Sequence, residues 1–205
     1  MRSLTKDTPK PLLAYEGKSL IEHKLLALPR TVTKVVIVVG YLGDSISSRF
    51  GSSYKGIPIE YVEQKELLGT AHALWQAKGL LDDRFLVLMG DDVYGARDLD
   101  ALAQYDCALL SYKGDPKRSG GKFILNEDGS LRAIVEDKDG SIDSPLVYTG
   151  ACVVTPALFD YPLAQIPGRK EFGLPQTIVQ MADKRRIHIV EAEFWKQITS
   201  PEDLA

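Results

Sequence analysis

Phe85-Leu86-Val87-Leu88-Met89-Gly90-Asp91-Asp92 is a run of five apolar residues that ends abruptly in a glycine and two carboxylates. Such a run without alternation is the pattern of a strand covered on both faces, as in a parallel sheet. Lys34-Val35-Val36-Ile37-Val38-Val39-Gly40 repeats the pattern upstream. Between the two, residues 57–62 alternate as a strand, and Gly69-Thr70 opens a helix that keeps Ala71, Leu74, Trp75 and Leu81 on one side. This is a βαβ rhythm. Before it, apolar residues at 20, 21, 25 and 28 mark an amphipathic helix stopped by Pro29. Asp44 is expected to cap a short helix with Ile46 and Phe50 on one face. After Asp92 the texture changes to a short helix over 98–104 and strand-like stretches over 107–112, 122–125, 131–136 and 147–155. A helix over 174–182 and a strand over 187–190 follow. No repeat, linker or low-complexity tract interrupts the chain. The expectation is one α/β domain over residues 1–205: a mainly parallel sheet flanked by helices, with a strand-rich second half covering one side of a cleft.

Composition narrows the partners. Lys and Arg number 25 against 28 Asp and Glu, a net charge of −3, without the basic excess of a general nucleic-acid binder. The longest apolar runs fall far below the roughly 18 residues of a membrane span. Neither nucleic acid nor a membrane is therefore an expected partner. Lys6, Asp7 and Lys10 stand where a signal peptide would carry its apolar block, so the cytoplasm is the expected location. Cys107 and Cys152 have no CxxC spacing and read as core residues.

Ligands of open α/β sheets bind beyond the carboxyl ends of the strands. That rule nominates the turn after Val39, the turn before Gly69, and Gly90-Asp91-Asp92. Standard phosphate loops do not account for them. Gly17-Lys18-Ser19 ends like a P-loop, but Leu12 occupies the place of its first glycine. Gly40-Tyr41-Leu42-Gly43 lacks the glycine that a dinucleotide fingerprint needs at Val38. Asp91 offers hard oxygen ligands suited to magnesium, yet Gly-Asp-Asp is equally good turn chemistry, and the residues alone do not choose. Lys10 stands between Pro9 and Pro11, so Thr8 and Lys10 are expected to be extended. Such a lysine could hold its ammonium on a phosphate; a solvated lysine is the plainer reading. Gln64, five residues before Gly69, can donate to and accept from a base edge while the glycine lets the backbone approach. An ordinary loop glutamine is the alternative. His72 and His188 lack metal-ligand spacing and read as structural or surface residues.

Taken together, these segments resemble the sugar-phosphate nucleotidyltransferase family, which joins a nucleoside triphosphate to a sugar 1-phosphate and releases pyrophosphate. Leu4-Thr5-Lys6-Asp7-Thr8-Pro9-Lys10-Pro11-Leu12-Leu13 resembles the second half of its N-terminal signature. Gly17-Lys18-Ser19-Leu20-Ile21-Glu22 resembles the helix start that follows. Tyr61-Val62-Glu63-Gln64-Lys65-Glu66-Leu67-Leu68-Gly69-Thr70-Ala71-His72-Ala73-Leu74 resembles its base-recognition turn, Gly90-Asp91-Asp92 its metal aspartate, and residues 195–204 its closing segment. The resemblance implies a Rossmann-like fold whose second half forms the sugar side of the cleft. It implies that Lys10 and Asp91 are catalytic, that Gln64, Gly69 and Thr70 bind the nucleotide, and that Asp91 and Gln197 hold Mg2+. It further implies that Gly120, Glu136, Lys138, Tyr148, Thr149, Gly150 and Glu171 bind the sugar phosphate. The stretch around Gln64 most resembles enzymes that use UTP or dTTP with glucose 1-phosphate. The oligomeric state stays open.

Some positions depart from the family pattern. Gln197 stands where a second metal aspartate is usual, and an amide oxygen ligates magnesium without supplying charge. Ser119 replaces a customary tyrosine, and Asp137 intervenes between Glu136 and Lys138. The family's first strand and its Gly-rich loop ending Gly-Thr-Arg would precede Met1, so the domain is expected to lack that piece and its anion clamp. A left-handed β-helix repeat after Asp203, and with it a second acyltransferase domain, is not expected. Two other readings go with these departures: a catalytically impaired binding or regulatory paralogue, and a transferase for a non-sugar phosphate such as phosphocholine.

Overall fold

The computed structural model describes residues 5, 8–115, 119–137 and 139–204. The chain enters through a 3₁₀ turn, Lys10–Leu12, and a short hairpin of β1 (Ala14–Tyr15) and β2 (Lys18–Ser19). Lys10 is therefore not extended as its proline neighbour suggests. The Leu12 and Leu13 N–H groups donate to the carbonyls of Pro9 and Lys10, and these two turn bonds outweigh the steric preference. Helix α1 (Leu20–Ala27) starts at a capping box, in which Glu22 N–H donates to Ser19 Oγ and Ser19 N–H to the Glu22 carboxylate.

Strand β3 (Val35–Val39), helix α2 (Gly43–Phe50), β4 (Ser53–Tyr54) and β5 (Ile57–Glu63) form the first layer. β3 and β5 pair in parallel from Val35↔Ile59 to Val39↔Glu63, with β4 antiparallel to β5. Ile46 and Phe50 are buried with Ile21, Leu25 and Ile59, as their shared face requires. Asp44, however, does not cap α2: Leu42, left-handed at φ 64°, holds that place without a side-chain bond. Asp44 sits instead in the first turn, where its charge suits the helix dipole.

The chain continues through α3 (Thr70–Gln76), β6 (Phe85–Val87), β7 (Asp92–Tyr94) and α4 (Ala96–Leu102). It then adds β8 (Ala108–Lys113), β9 (Gly120–Leu125), β10 (Leu131–Asp137), β11 (Leu146–Val154), α5 (Leu174–Val179), β12 (His188–Glu191) and β13 (Trp195–Gln197). The large sheet is ordered β10-β9-β11-β8-β12, with β6 also on β11. β8 and β12 are parallel; β6, β9, β10 and β11 pair antiparallel. The result is a mixed α/β fold with a multi-stranded sheet flanked by helices. β3 and β6 are only partly buried, because among the described residues each pairs along one edge only; Phe85 and Val87 nonetheless pack into the core on one face of the sheet and Leu86 into the core on the other.

Alternation along β8 and β11 builds two cores. Leu109, Cys152 and Val154 face Leu174 and Ile178 on one side, while Leu110, Ala151 and Val153 face Leu99, Leu102 and Trp195 on the other. Cys107 and Cys152 are free and buried, and burial drives their thiols up to about 11 and about 12, so they are inert core residues. Among the described residues no helix is long and apolar enough to cross a membrane.

Candidate active site

A cleft of about 670 Å³ collects the residues that the sequence scatters along the chain. Gln64, Gly69 and Thr70 line it from the turn between β5 and α3, and Asp91 and Gln197 from the ends of β7 and β13. Ser119, Gly120, Glu136, Tyr148, Thr149 and Gly150 line it from the strand-rich half, and Glu171 from the loop before α5. Lys10 joins this set by its ion pair with Asp91, Nζ to Oδ2 at 2.6 Å. Lys138 lies outside the described residues.

The base-side turn owes its shape to Gly69, at φ 98° and ψ 178°. A Cβ there would strike the Phe172 backbone and stand 3.1 Å from Glu171 Cβ. Around it, Phe172 N–H donates to Leu68 O at 2.7 Å and Ala71 N–H donates to Phe172 O at 3.0 Å. Thr70 Oγ1 accepts from Leu174 N–H at 3.0 Å. The one hydroxyl nominated for nucleotide binding thus helps to join the two walls. Gln64 is held at its backbone by N–H donation to Val39 O at 2.7 Å.

On the opposite wall, β10 pairs Glu136 with Gly121 of β9, and the absent side chain leaves the Glu136 carboxylate room to face the cleft. Period two turns Asp137 the other way, where its carboxylate accepts from Ser141 and Ile142 N–H. The Glu136 position therefore survives the inserted aspartate. Tyr148 and Thr149 line the cleft, but their hydroxyls turn from it: the Tyr148 hydroxyl is buried, and Thr149 Oγ1 donates to Leu110 O at 2.9 Å.

The turn 90–92 has an electrostatic support that the sequence reading missed. Lys24, buried on α1, donates from Nζ to Leu20 O at 3.0 Å and Gly90 O at 3.1 Å. Burial pushes its ammonium down to about 8, against the opposing pull of Asp92 and Asp91. Asp92 is also buried, and burial together with the Asp91 charge drives its carboxyl up to about 7. Trp195 Nε1–H donates to Asp92 Oδ2 at 3.0 Å, and the β7–β13 ladder sets Gln197 directly opposite Asp92. Asp92 is thus occupied inside the fold, while Asp91 keeps a side chain 44% exposed at the cleft. Arg169, another cation on the lining, lies 4.0 Å from Glu171. Its place in Pro167-Gly168-Arg169-Lys170, a basic turn, was the available signal.

Among the described residues no three His, Cys, Asp or Glu side chains form a metal cage. Magnesium needs none: one carboxylate with an amide oxygen, waters and substrate phosphates suits its octahedral habit. Asp91 and Gln197 fit that donor set.

The cleft of this mixed α/β fold thus faces a glutamine–glycine turn on one side, a carboxylate and lysine between, and a glycine–glutamate wall on the other. Residues 1–109 match the Nucleotidyl transferase family. The chain is 31% identical to "UTP--glucose-1-phosphate uridylyltransferase AglF" of Haloferax volcanii, over 99% of its own length and 88% of that protein. It is 28% identical to "Bifunctional protein GlmU" of Methanococcus maripaludis over 98% of its length, and spans only 49% of that relative. A solved UDP-glucose pyrophosphorylase complexed with UDP-glucose superposes with a TM-score of 0.77 at 21% identity, covering 98% of this chain and 89% of that one. The chain belongs to the nucleotidyl transferase family.

Proposed function

We propose that the protein joins UTP or dTTP to a sugar 1-phosphate, glucose 1-phosphate first among them, with Mg2+ as cofactor and release of pyrophosphate. The observation that carries the reading is the single cleft lined by Gln64 and Gly69, Asp91, and Glu136 with Gly120. The names of the relatives speak for a sugar-phosphate transferase over a phosphocholine enzyme or a paralogue that only binds.

In this reading an oxygen of the sugar phosphate attacks the α-phosphorus in line. The bond from that phosphorus to the bridging oxygen breaks, and pyrophosphate leaves with the electron pair. No protein nucleophile is needed; two anions must be aligned and their charge offset. Gln64 and Gly69 hold the base, and Glu136 with the Gly120 backbone orients the sugar hydroxyls. Asp91 and Gln197 would hold magnesium, which supplies positive charge to the phosphate oxygens when bound. Lys10, already aimed at Asp91, offers its ammonium to the α-phosphate.

The test is pyrophosphate release by the chain with each of UTP, dTTP, CTP, GTP and ATP, with glucose 1-phosphate and other sugar 1-phosphates, in magnesium and in EDTA. Release with UTP or dTTP that EDTA abolishes is the expected result. Silence across the panel overturns the proposal.

A further inference from the structure

Among the described residues two buried side-chain polar atoms have no hydrogen-bond partner, the Tyr148 hydroxyl and Gln176 Oε1, and both residues line the cleft. The Tyr148 hydroxyl has the Cys152 thiol beside it. Gln176 is the third residue of α5, where a glutamine ordinarily reaches back to accept from the N–H of the residue before the helix. Here that N–H, on Gly173, is already given to Ala164 O at 2.9 Å. Oε1 therefore has nothing to accept from at the helix start. It rests instead in the space of a missing side chain: a Cβ on Gly173 would strike Gln176 Oε1 and stand 2.8 Å from its Cδ. The Gly173 backbone, at φ −92° and ψ 129°, is one that any residue adopts, so glycine serves here to make room and not to make the turn.

The sugar side of the cleft lacks what this amide offers. The carboxylates of Glu136 and Glu171 only accept, and the hydroxyls of Tyr148 and Thr149 turn away. A sugar hydroxyl both donates and accepts, and so does a carboxamide, with its oxygen and its two N–H groups. We propose that Gln176 binds the sugar: its amide turns out of the recess over Gly173 and bridges two neighbouring hydroxyls, giving an N–H to one and taking the hydrogen of the other on Oε1. The proposal rests on the sugar-nucleotide reading and deepens it, by naming the side chain that meets a pair of adjacent hydroxyls. The turn breaks no hydrogen bond of Oε1, and a buried oxygen without a donor gains one.

Binding of UDP and of UDP-glucose, with magnesium, separates the sugar from the nucleotide without requiring turnover. In Gln176→Leu the affinity for UDP-glucose should fall about tenfold, the worth of one or two hydrogen bonds, while that for UDP stays within about twofold. Tm should hold or rise, because the variant removes an unpaired buried oxygen. UDP-glucose analogues lacking one hydroxyl give the sharper reading: at two adjacent positions the loss suffered by the parent should vanish in Gln176→Leu. Gly173→Ala leaves Gln176 itself unchanged and closes the recess, so UDP-glucose binding should persist there. An unchanged ratio of the two affinities in Gln176→Leu, an equal loss of both ligands, or deoxy losses of the same size in parent and variant overturns the proposal and leaves the nucleotidyltransferase reading intact. So does a loss of UDP-glucose binding in Gly173→Ala as large as that expected of Gln176→Leu. Failure of the unmodified chain to bind either ligand removes both readings.

Discussion

Replacing Gly69 by alanine perturbs one atom at the place where the two walls of the cleft meet. The backbone there, at φ 98° and ψ 178°, is in a region essentially reserved for glycine. Holding an L-residue in it costs on the order of 1–3 kcal/mol. The new methyl would also stand 2.8 Å from Phe172 N and nearer still to its carbonyl oxygen, which are backbone atoms that cannot rotate aside. Relief requires loosening the Leu68–Phe172 and Ala71–Phe172 hydrogen bonds, worth about 1 kcal/mol each. The total is about 3–5 kcal/mol, which for a chain of this size lowers Tm by about 10 °C or more. Thermal melting of Gly69→Ala checks this beside Gly79→Ala, a control whose added methyl meets nothing within 4 Å. UTP affinity should fall together with Tm, since the same turn shapes the base pocket. A Gly69→Ala protein that melts within about 2 °C of the parent would refute the steric reasoning.

Asp91→Asn should abolish magnesium-dependent pyrophosphate release yet move Tm little, because its pair with Lys10 is half-exposed and worth no more than about 1 kcal/mol; near-normal turnover removes Asp91 as the metal ligand. Gln197→Asp places a second carboxylate opposite Asp92, which should raise magnesium affinity by about tenfold and lower stability, both readable by calorimetry. Asp92 is pushed up to about 7, so the folded chain holds its proton more tightly than the unfolded chain, and stability falls as pH rises from about 4 to about 7. Asp92→Asn keeps an oxygen for Trp195 without ionising. Its stability should pull ahead of the parent by up to about 4 kcal/mol through that window and stay ahead above it, as urea titrations at both ends will show.

The frame of the fold was legible because its signals are local. The β-branched run at β3, the apolar stripe of α1 with its stop at Pro29 and the alternation of β5 each declare themselves within a few residues. The Gln64–Gly69 turn was legible for the same reason. Lys24 was not: the periodicity of α1 counts apolar residues, and a lysine among them reads as solvent-facing. Its burial is decided by the Gly90 carbonyl, 66 positions away in sequence. Asp137 obscured the register of Glu136 and Lys138 in one dimension, whereas the pleat of β10 separates it from Glu136 at once. Lys10 shows the reverse error, a local proline preference overruled by two turn hydrogen bonds.

The bond from Leu174 N–H to Thr70 Oγ1 spans 104 positions, and those joining Phe172 to Leu68 and Ala71 as many or nearly so. Contacts of such separation bear the largest loop-closure cost and are late to form. A nascent chain that has synthesised β3, β5 and α3 therefore owns the base-reading residues but not the pocket. Gly69 takes up its extreme geometry against a strand of backbone not yet made. The base-side wall of the cleft is thus completed only once residue 174 is made, and Gln197 joins the lining later still.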